Sequence, residues 1–404
     1  MKRSLSLRLL AAVLVLALAC AVALLSPDRL VAAAPVAAIH QAQVDCRFLA
    51  APQAVRGSDG KMHLAYELRV TSFYSGDKPL RLTGLTIYPN DGSTPLETIE
   101  GAALTALLSQ SPEKADAGGI AITAGQTRTL FLWLTLQPGM RPASLRHQLT
   151  FAEPGGGIER AEDVRLPLVP GSPLSIGPPL RGGRWLAVEG PGNRLSHHWG
   201  SMVAIDGTLS IPQRFAIDWF GLDAGNHSVR GAHDSLAATV DEDWVGYRSD
   251  VLAVADGVVV DARDGAANGK PLAPETVPDD LTARTLYGNF VILRIAPGVY
   301  AHYAHFERGS VAVRIGQRVR RGMVIGRLGQ SGAAGAPHLH FHISDRPTFE
   351  RSEGLPYVID SFTALGRGKV EDTFDPAKPV PLKPTLTRKR WAELPLDGSV
   401  VSFP

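Results

Sequence analysis

Histidine is the residue type whose placement in this chain most suggests chemistry. Nine of the 12 histidines in the 404 residues lie between positions 197 and 342. Three of them occur in one run, Pro337-His338-Leu339-His340-Phe341-His342-Ile343. Side chains alternate along a strand, so the three imidazoles would share one face while the apolar residues anchor the other face in a core. Burying three imidazoles without partners is costly, and a divalent metal would satisfy at least one of them.

The residues that precede this run predict short strands between tight turns. Glycines punctuate the preceding thirty residues at Gly316, Gly322, Gly326, Gly329, Gly332 and Gly335. Between them, residues 311–316 and 321–326 predict two short strands. The sequence Tyr303-Ala304-His305-Phe306 predicts a further strand that carries a histidine. A single His-x-His pair is a weak signal, so the prediction depends on these features occurring together.

Taken in order, these motifs carry a family resemblance. The segment from about 195 to 362 resembles the lysostaphin-type (M23) zinc metallopeptidases, secreted enzymes that cut peptide bonds in bacterial cell-wall peptidoglycan. The matching motifs cover about 40% of the 404 residues. They are Arg214-Phe215-Ala216-Ile217-Asp218, the run from Val251 to Val259, Gly288-Asn289-Phe290-Val291-Ile292, Tyr303-Ala304-His305-Phe306, and Ser331-Gly332 through Pro337-His338-Leu339-His340-Phe341.

The resemblance implies roles for four matched positions. Asp218 and His340 would be zinc ligands, and His305 and His338 would be catalytic histidines that do not bind the metal. Two histidines and one carboxylate around Zn²⁺ would leave a fourth position open, as hydrolytic zinc sites do. The expected activity is zinc-dependent endopeptidase cleavage of peptidoglycan stem peptides or cross-links.

The sequence departs from the family at Arg214, which occupies the position of the first metal ligand. Arginine cannot ligate zinc, so either a nearby histidine supplies the ligand or the site is degenerate. The turn signal Asp206-Gly207 predicts a hairpin that would return His197 and His198 to the neighbourhood of Asp218. Ideal pairing sets residue 197 opposite 216 and favours His197. Relatives with the Gln-Arg-Phe-Ala-Ile-Asp version of the motif imply His198, which is the preferred prediction.

Two further function classes are compatible with this sequence. The Arg214 departure would suit a catalytically inactive protein of the same fold that binds the cell wall or a partner hydrolase. A carbohydrate- or wall-binding protein that acts through its N-terminal region is the other alternative. Stoichiometric zinc in the purified protein would separate the enzyme from the inactive protein.

The predicted fold class is all-β, with two β domains in sequence. Residues 39–175 show period-two alternation, as in Leu130-Phe131-Leu132-Trp133-Leu134, and predict an N-terminal antiparallel β-sandwich. A Pro/Gly-rich bridge then leads to residues 184–365, the M23-like antiparallel β-sheet peptidase domain. Residues 366–404 form a Pro-rich C-terminal tail in which regular structure is not expected.

The first 38 residues have the pattern of an export signal. Lys2, Arg3 and Arg8 precede an unbroken apolar run of 17 residues, Leu9 to Leu25. Val36-Ala37-Ala38 offers small residues for cleavage, and an uncleaved membrane anchor is the alternative. The chain is therefore expected to be periplasmic or extracellular.

Charge and cysteine usage exclude other classes. The net charge is +2, and the first 38 residues contribute four basic side chains against one acidic, so the remainder carries 2 − 3 = −1. A near-neutral body gives no electrostatic basis for nucleic-acid binding. With Cys20 and Cys46 alone, neither a disulfide framework nor a cysteine zinc finger can form.

Overall fold

The computed structural model describes residues 40–404 except 77, 109–117, 273–281, 370, 372–373, 376–377 and 384–386. The predicted export signal at 1–38 and Cys20 lie outside these residues. Residues Gln41–Pro404 form one compact unit. No helix within the described ranges is long and apolar enough to cross a membrane.

The fold is all-β, as the alternation of the sequence predicts. The strands of the N-terminal half are β1 His40–Gln41, β2 Val44–Phe48, β3 Val55–Arg56, β4 Met62–Ser72, β5 Leu80–Pro89, β6 Glu97–Glu100, β7 Ile120–Ile122, β8 Thr127–Leu136, β9 Ser144–Ala152, β10 Ile158–Pro167 and β11 Leu174–Ile176. Those that follow are β12 Arg184–Val188, β13 Val203–Ile205, β14 Thr208–Ser210, β15 Ile217–Leu222, β16 Asp250–Leu252, β17 Gly257–Arg263, β18 Phe290–Ala296, β19 Val299–Ala304, β20 Arg318–Val319, β21 Val324–Arg327, β22 Leu339–Ser344, β23 Tyr357–Arg367, β24 Arg388–Glu393 and β25 Ser399–Ser402. Short α-helices are α1 Gly101–Thr105, α2 His197–Gly200 and α3 Ala283–Tyr287, and 3₁₀ turns occupy Leu236–Ala238 and Asp241–Asp243.

Two antiparallel sheets of the N-terminal region share one apolar core. One contains β10, β9, β5 and β6 in that order, with β7 beside β5, and the other contains β2, β4 and β3, with β8 beside β4. Leucines from β4, β5, β8 and β9 fill the space between them, including Leu64, Leu85, Leu132 and Leu149. Alternation places these side chains on the inward face of each strand.

The outer face of the β4–β8 sheet is also buried. Ala65 and Phe131 belong to the same core cluster as Trp199 and Trp219 of the C-terminal region, and Trp133 packs against that cluster. The aromatic face of β8 therefore packs against the region that carries the histidines, while the leucine face packs inside the N-terminal sandwich.

The histidines lie on a long sheet with the strand order β11-β23-β25-β12-β15-β22-β19-β18-β17-β20. Asp218 of β15 is the register partner of His340 of β22, and His340 also pairs with Ala304 of β19. Leu339, Phe341 and Ile343 point into the core, so the alternation predicted for this run is confirmed.

Two local predictions require correction. Residues 311–316 form no strand; only Ala312 and Gly316 donate backbone hydrogen bonds to the strand residues Ile325 and Val259, while Val311 and Val313 pack against the core. The Asp206-Gly207 hairpin does form, with Ile205 opposite Thr208, but it ends at Val203 and Ser210. The expected pairing of residue 197 with 216 is therefore wrong, because β12 occupies the position beside β15.

The expectation that the Pro-rich segment after residue 366 lacks regular structure is wrong, because the segment contains two strands of the long sheet. β25 lies between β12 and β23, with Val401 opposite both Trp185 and Ala364. β24 pairs with β23. The prolines of this segment lie outside β24 and β25 in the sequence, which leaves the hydrogen-bond donors of the paired residues intact.

Candidate metal centre and cleft

Asp218 lies at the centre of the candidate site. It is 6% exposed and sits on β15 directly opposite His340 of β22. Asp218 Oδ1 lies 2.9 Å from His340 Nδ1, 3.4 Å from His198 Nε2 and 3.4 Å from His338 Nε2. Four of the five predicted site residues therefore meet at one carboxylate oxygen.

The short helix α2 brings His198 to this carboxylate. Ser196 caps the helix by accepting a hydrogen bond from the His198 backbone N–H at 3.2 Å. The His198 Nδ1–H donates to the backbone carbonyl of Glu189 at 3.0 Å, which turns Nε2 toward Asp218. Glu189 has a backbone φ of 53°, an uncommon value for a residue with a side chain, and it follows directly on β12.

His197 lies at the rim of the same site. Its side chain is 60% exposed, and its Nδ1 lies 3.3 Å from Glu189 Oε2. The possible metal-ligand atoms of His197, His198 and Asp218 are close enough to one another to share one metal ion. The structure thus places both candidate histidines near Asp218, but only His198 is buried with one ring nitrogen held by a carbonyl.

His305 and His338 face each other across the site. Their ring centroids are 4.7 Å apart. His338 Nδ1–H donates to the Ala336 carbonyl at 2.7 Å, and His305 Nδ1–H donates to the Ser331 carbonyl at 2.8 Å. His305 follows β19 with a φ of 67°, so its ring turns out of the strand direction and toward the cleft.

The hydrogen positions show that this group of side chains fits a cation. Carbonyl oxygens only accept, so Nδ1 carries the hydrogen in His198, His338 and His305, and each neutral ring keeps its lone pair on Nε2. Two of these lone pairs face the Asp218 carboxylate at 3.4 Å. Acceptors that face one another in a buried site are stabilised by a positive ion between them. Imidazole nitrogens with one carboxylate are the ligands that zinc prefers.

The pKa shifts agree with this distribution of charge. Burial raises the pKa of Asp218, but His198, His338 and His340 outweigh burial and hold it well below its ordinary value. Burial lowers the pKa of His198 and of His305 well below the usual 6.5. At neutral pH Asp218 is therefore ionised and His198 and His305 are neutral, the protonation states that metal binding requires.

Arg214, which replaces the family's first ligand, points away from this site. Its guanidinium donates to Glu67 Oε1 and Oε2 at 2.8 and 2.9 Å and lies 2.8 Å from Glu353 Oε2. Glu67 also accepts a hydrogen bond from Trp199 Nε1 at 2.5 Å. Glu67 therefore joins Arg214 to the helix that carries His198, and the guanidinium leaves the metal centre free.

A cleft of about 310 Å³ opens over the histidines. Phe220 forms one wall and stacks on His338, with ring centroids 5.0 Å apart and planes 13° apart. Phe374 from the C-terminal segment packs edge-on against Phe220 at 5.5 Å. Apolar side chains that line the rest of the cleft are Val188, Leu272, Leu286 and Phe349. The cleft therefore combines apolar side chains with polar ones, among them the site histidines, Asp218 and Gln213.

Sequence reasoning missed three residues of this site. Glu67 lies on a strand of the N-terminal region, more than a hundred residues before His198, and no motif marks it. Glu189 acts through its backbone carbonyl, which a sequence pattern does not reveal. Tyr287 precedes the matched Gly288-Asn289 motif and contributes its ring to the cleft. Of these three residues, only Tyr287 is adjacent to one of the family motifs in the sequence.

Comparisons with known proteins agree with the motifs. Residues 244–350 match the model of a family described as Peptidase family M23. This match contains His305, His338 and His340, but not His198 or Asp218. Proteins of Neisseria meningitidis serogroup B and Neisseria gonorrhoeae described as DD-carboxypeptidase/endopeptidase Mpg are 42% identical over 72 residues, 17% of this chain. The matched stretch spans 16% of the length of those relatives.

Solved structures of peptidases are also similar to this chain. The catalytic domain of the antimicrobial peptidase lysostaphin from Staphylococcus simulans is 21% identical, with 40% of this chain and 79% of that chain covered and a TM-score of 0.20. A zinc containing peptidase from Vibrio cholerae is 12% identical, with 75% and 83% covered and a TM-score of 0.20. These TM-scores are too low to establish a common overall architecture.

Proposed function

Because the chain is a member of peptidase family M23 through residues 244–350, we propose that it is a zinc-dependent endopeptidase that hydrolyses peptide bonds in peptidoglycan stem peptides or cross-links. The observation that carries this proposal is the convergence of His198 Nε2 and His340 Nδ1 on Asp218 Oδ1, at 3.4 and 2.9 Å. These three side chains would hold the metal ion.

The proposed chemistry divides between the metal and the neighbouring histidines. A bound zinc ion supplies Lewis acidity and lowers the pKa of water to about 7. His305 and His338 can each accept a proton at Nε2, and the imidazolium that results can donate it to the leaving amine. Their Nδ1 hydrogen bonds to Ser331 and Ala336 fix the direction in which Nε2 points. The apolar walls of the cleft would limit the access of bulk water.

The structure does not favour the inactive alternative. That alternative arose because Arg214 occupies the position of a metal ligand. The Arg214 guanidinium is bound by Glu67 and Glu353 outside the cleft, and His198 lies where a third ligand is needed. A partner hydrolase is therefore not part of the proposal.

Export completes the proposed function. The basic residues and the 17-residue apolar run at the amino terminus support delivery out of the cytoplasm, where peptidoglycan lies. Expression of the full chain with a C-terminal tag, followed by cell fractionation, tests this. A tagged protein that stays in the cytoplasm would contradict export.

His340→Ala is the sharpest test of the proposed activity. Metal analysis of the purified wild type should give one zinc per chain, and the protein should release peptides from isolated peptidoglycan. The variant should lose both stoichiometric zinc and hydrolysis while it keeps the wild-type circular dichroism spectrum. His147→Ala, which removes a buried histidine far from the cleft, serves as the control. Retained hydrolysis by His340→Ala would refute the assignment.

His305→Ala and His338→Ala separate catalysis from metal binding. Each should keep one zinc per chain, since neither residue is among the three proposed ligands. Loss of a positioned proton acceptor should lower kcat by about 10²- to 10⁴-fold. Steady-state cleavage of a purified peptidoglycan peptide, with zinc content measured on the same sample, distinguishes the two effects. A variant that cuts at the wild-type rate would remove that histidine from the catalytic set.

A further inference from the structure

Behind the candidate metal centre lies a second group of buried polar side chains that the proposed chemistry does not use. His302 on β19 and His342 on β22 are fully buried register partners whose rings stack 4.4 Å apart. Tyr287, at the end of α3, brings its hydroxyl within 3.4 Å of His302 Nδ1 and 3.3 Å of His342 Nε2. His342 Nδ1 in turn lies 2.9 Å from His340 Nε2.

One end of this group has a fixed hydrogen-bond direction. The backbone carbonyl of Arg346 lies 3.1 Å from His302 Nε2 and 2.8 Å from the Ser344 hydroxyl. The carbonyl only accepts, so both contacts need a hydrogen from the side chain. The 2.7 Å contact between Ser344 Oγ and His302 Nε2 is then satisfied by the same N–H. His302 therefore carries its hydrogen on Nε2 and leaves a lone pair on Nδ1.

That direction propagates through the remaining contacts. The Tyr287 hydroxyl has a single hydrogen, and the His302 Nδ1 lone pair takes it. The contact between Tyr287 and His342 then needs a hydrogen from His342 Nε2, which leaves a lone pair on His342 Nδ1. The 2.9 Å contact with His340 is consequently made by a hydrogen on His340 Nε2. Neutral His340 has only its Nδ1 lone pair left, and Nδ1 faces Asp218.

We propose that His302, Tyr287 and His342 form a directed hydrogen-bond relay that positions His340 for the metal, by keeping the hydrogen on Nε2 and the Nδ1 lone pair toward Asp218. The proposal rests on the proposed function in that zinc is the ion His340 would bind. Gln213 Nε2 lies 3.1 Å from His340 Nε2, and because an amide nitrogen only donates, the relay requires the flipped Gln213 amide, with Oε1 accepting from the His340 N–H. The three relay residues are positioning residues that act on the metal through His340, although the Tyr287 ring also lines the cleft.

The placement of the relay explains why it consists of neutral groups. His302, His342 and Tyr287 are all buried, and burial disfavours a charged ring or a phenolate. Each neutral group has one donor and one acceptor, which a directed chain requires. A carboxylate in the place of His342 would also accept from His340 Nε2, but it would add a negative charge to a fully buried position.

Two substitutions of His342 test the direction of the relay. Asparagine carries Oδ1 near the position of the imidazole Nδ1, whereas glutamine reaches toward the position of Nε2. His342→Asn should thus keep an acceptor for His340 and retain zinc affinity within a few-fold of the wild type. His342→Gln and Tyr287→Phe should weaken zinc binding by about 10- to 100-fold, the usual effect of losing an outer partner of a metal ligand. Affinity is measured on the full chain by competition with a chromophoric chelator.

Tyr66→Phe is the matched control for Tyr287→Phe. Tyr66 is also buried, and its hydroxyl lies 2.9 Å from Nε2 of the buried His147, but both lie within the N-terminal sandwich. This control should leave zinc affinity unchanged. Thermal unfolding of every variant separates a folding defect from a change in binding.

The tautomer itself can be read without metal or substrate. Nitrogen-15 NMR of histidine-labelled full-length protein, assigned with His340→Ala, reports which ring nitrogens of His340 carry hydrogen. The relay requires a hydrogen on Nε2, with or without zinc. A His340 that lacks it in the wild type, or a His342→Gln variant with wild-type zinc affinity, overturns the proposal. Because neither measurement uses hydrolysis, a protein that binds zinc but cuts no peptide would refute the proposed function and leave the relay standing.

Discussion

At the scale of single residues, backbone carbonyls decide what the histidines can do. Glu189, Ser331 and Ala336 each accept a hydrogen bond from the Nδ1 of a site histidine. The nitrogen that remains is an acceptor by default, and its direction follows from the path of the main chain. The site is therefore prepared for a cation by backbone carbonyls, which every residue type has.

A histidine outside the site gives a pH-dependent prediction at the same scale. Burial lowers the pKa of His147 from 6.5 to about 4, against a smaller opposing effect of the Val164 carbonyl. As the pH falls from about 6.5 to 4, the unfolded chain takes up a proton that the folded chain refuses. The folded state should therefore lose about 3 kcal/mol over this range through His147 alone.

His147→Gln removes this titration while it keeps an acceptor for the Tyr66 hydroxyl. The free energy of unfolding in urea, measured at pH 7 and pH 4, should decrease by about 3 kcal/mol less in the variant than in the wild type. Any cost of the substitution at pH 7 cancels in this difference. Equal losses in the two proteins would show that His147 is protonated in the folded state.

At the scale of residues, the sequence alone could identify the histidines of the site, because their spacing along one strand is visible in it. His338, His340 and His342 share a strand face, and the core positions of Leu339 and Phe341 confirm that alternation. The partnership of His302 with His342 was beyond reach, since it depends on the register between β19 and β22, 40 residues apart. Spacing within one strand is local information, and register between strands is not.

At the scale of elements, a single carboxylate of β4 holds the helix that carries His198. Glu67 is fully buried and binds both the Arg214 guanidinium and Trp199 Nε1. Trp199 is the neighbour of His198 on α2, so the position of the helix depends on a strand of the N-terminal sandwich. A helix of four residues has little stability of its own and relies on such contacts.

Glu67→Gln should therefore affect both stability and the metal centre. Arg214 would keep Glu353 but lose its bidentate partner, at a cost of about 3 kcal/mol or more. The free energy of unfolding measures this loss, and chelator competition should show weaker zinc binding. An unchanged zinc affinity in a destabilised variant would mean that Glu67 supports the fold without positioning α2.

The double variant Glu67→Gln/Arg214→Met provides the control for the buried charge. Removing Arg214 alone leaves the fully buried Glu67 uncompensated, whereas the double variant leaves no unpaired charge at residue 67, and Glu353 loses its partner in both cases. The double variant should consequently be more stable than the sum of the two single losses predicts, by more than 1 kcal/mol. Additive losses would contradict a direct interaction between the two residues.

Secondary-structure elements could be predicted where the sequence pattern is strong. The predictions failed where tertiary contacts determine which strands pair. The period-two alternation of residues 130–134 predicts β8, and its two faces pack against two different cores. The expected long hairpin failed because β12, which pairs Val188 with Asp218, competes for the same edge of β15. His197 and His198 then begin a helical turn, with Ser196 as its cap.

At the scale of the whole molecule, the N-terminal sandwich and the long sheet share one core. Val55, Ala65 and Phe131 belong to the same cluster as Phe215, Trp219 and Leu339. We therefore expect a single cooperative thermal transition for residues 39–404 in differential scanning calorimetry, with equal calorimetric and van't Hoff enthalpies. Two resolved transitions would show that the two regions unfold independently.

The position of β25 has a consequence for synthesis. Val400 and Val401 complete the sheet beside Leu186 and Trp185, more than two hundred residues earlier in the chain. While a ribosome is still extending the nascent polypeptide, β12 has an open edge on that side, and the strand that bears Asp218 is anchored on an unfinished neighbour. The sheet that carries Asp218 is therefore complete on this side only after translation has passed residue 402.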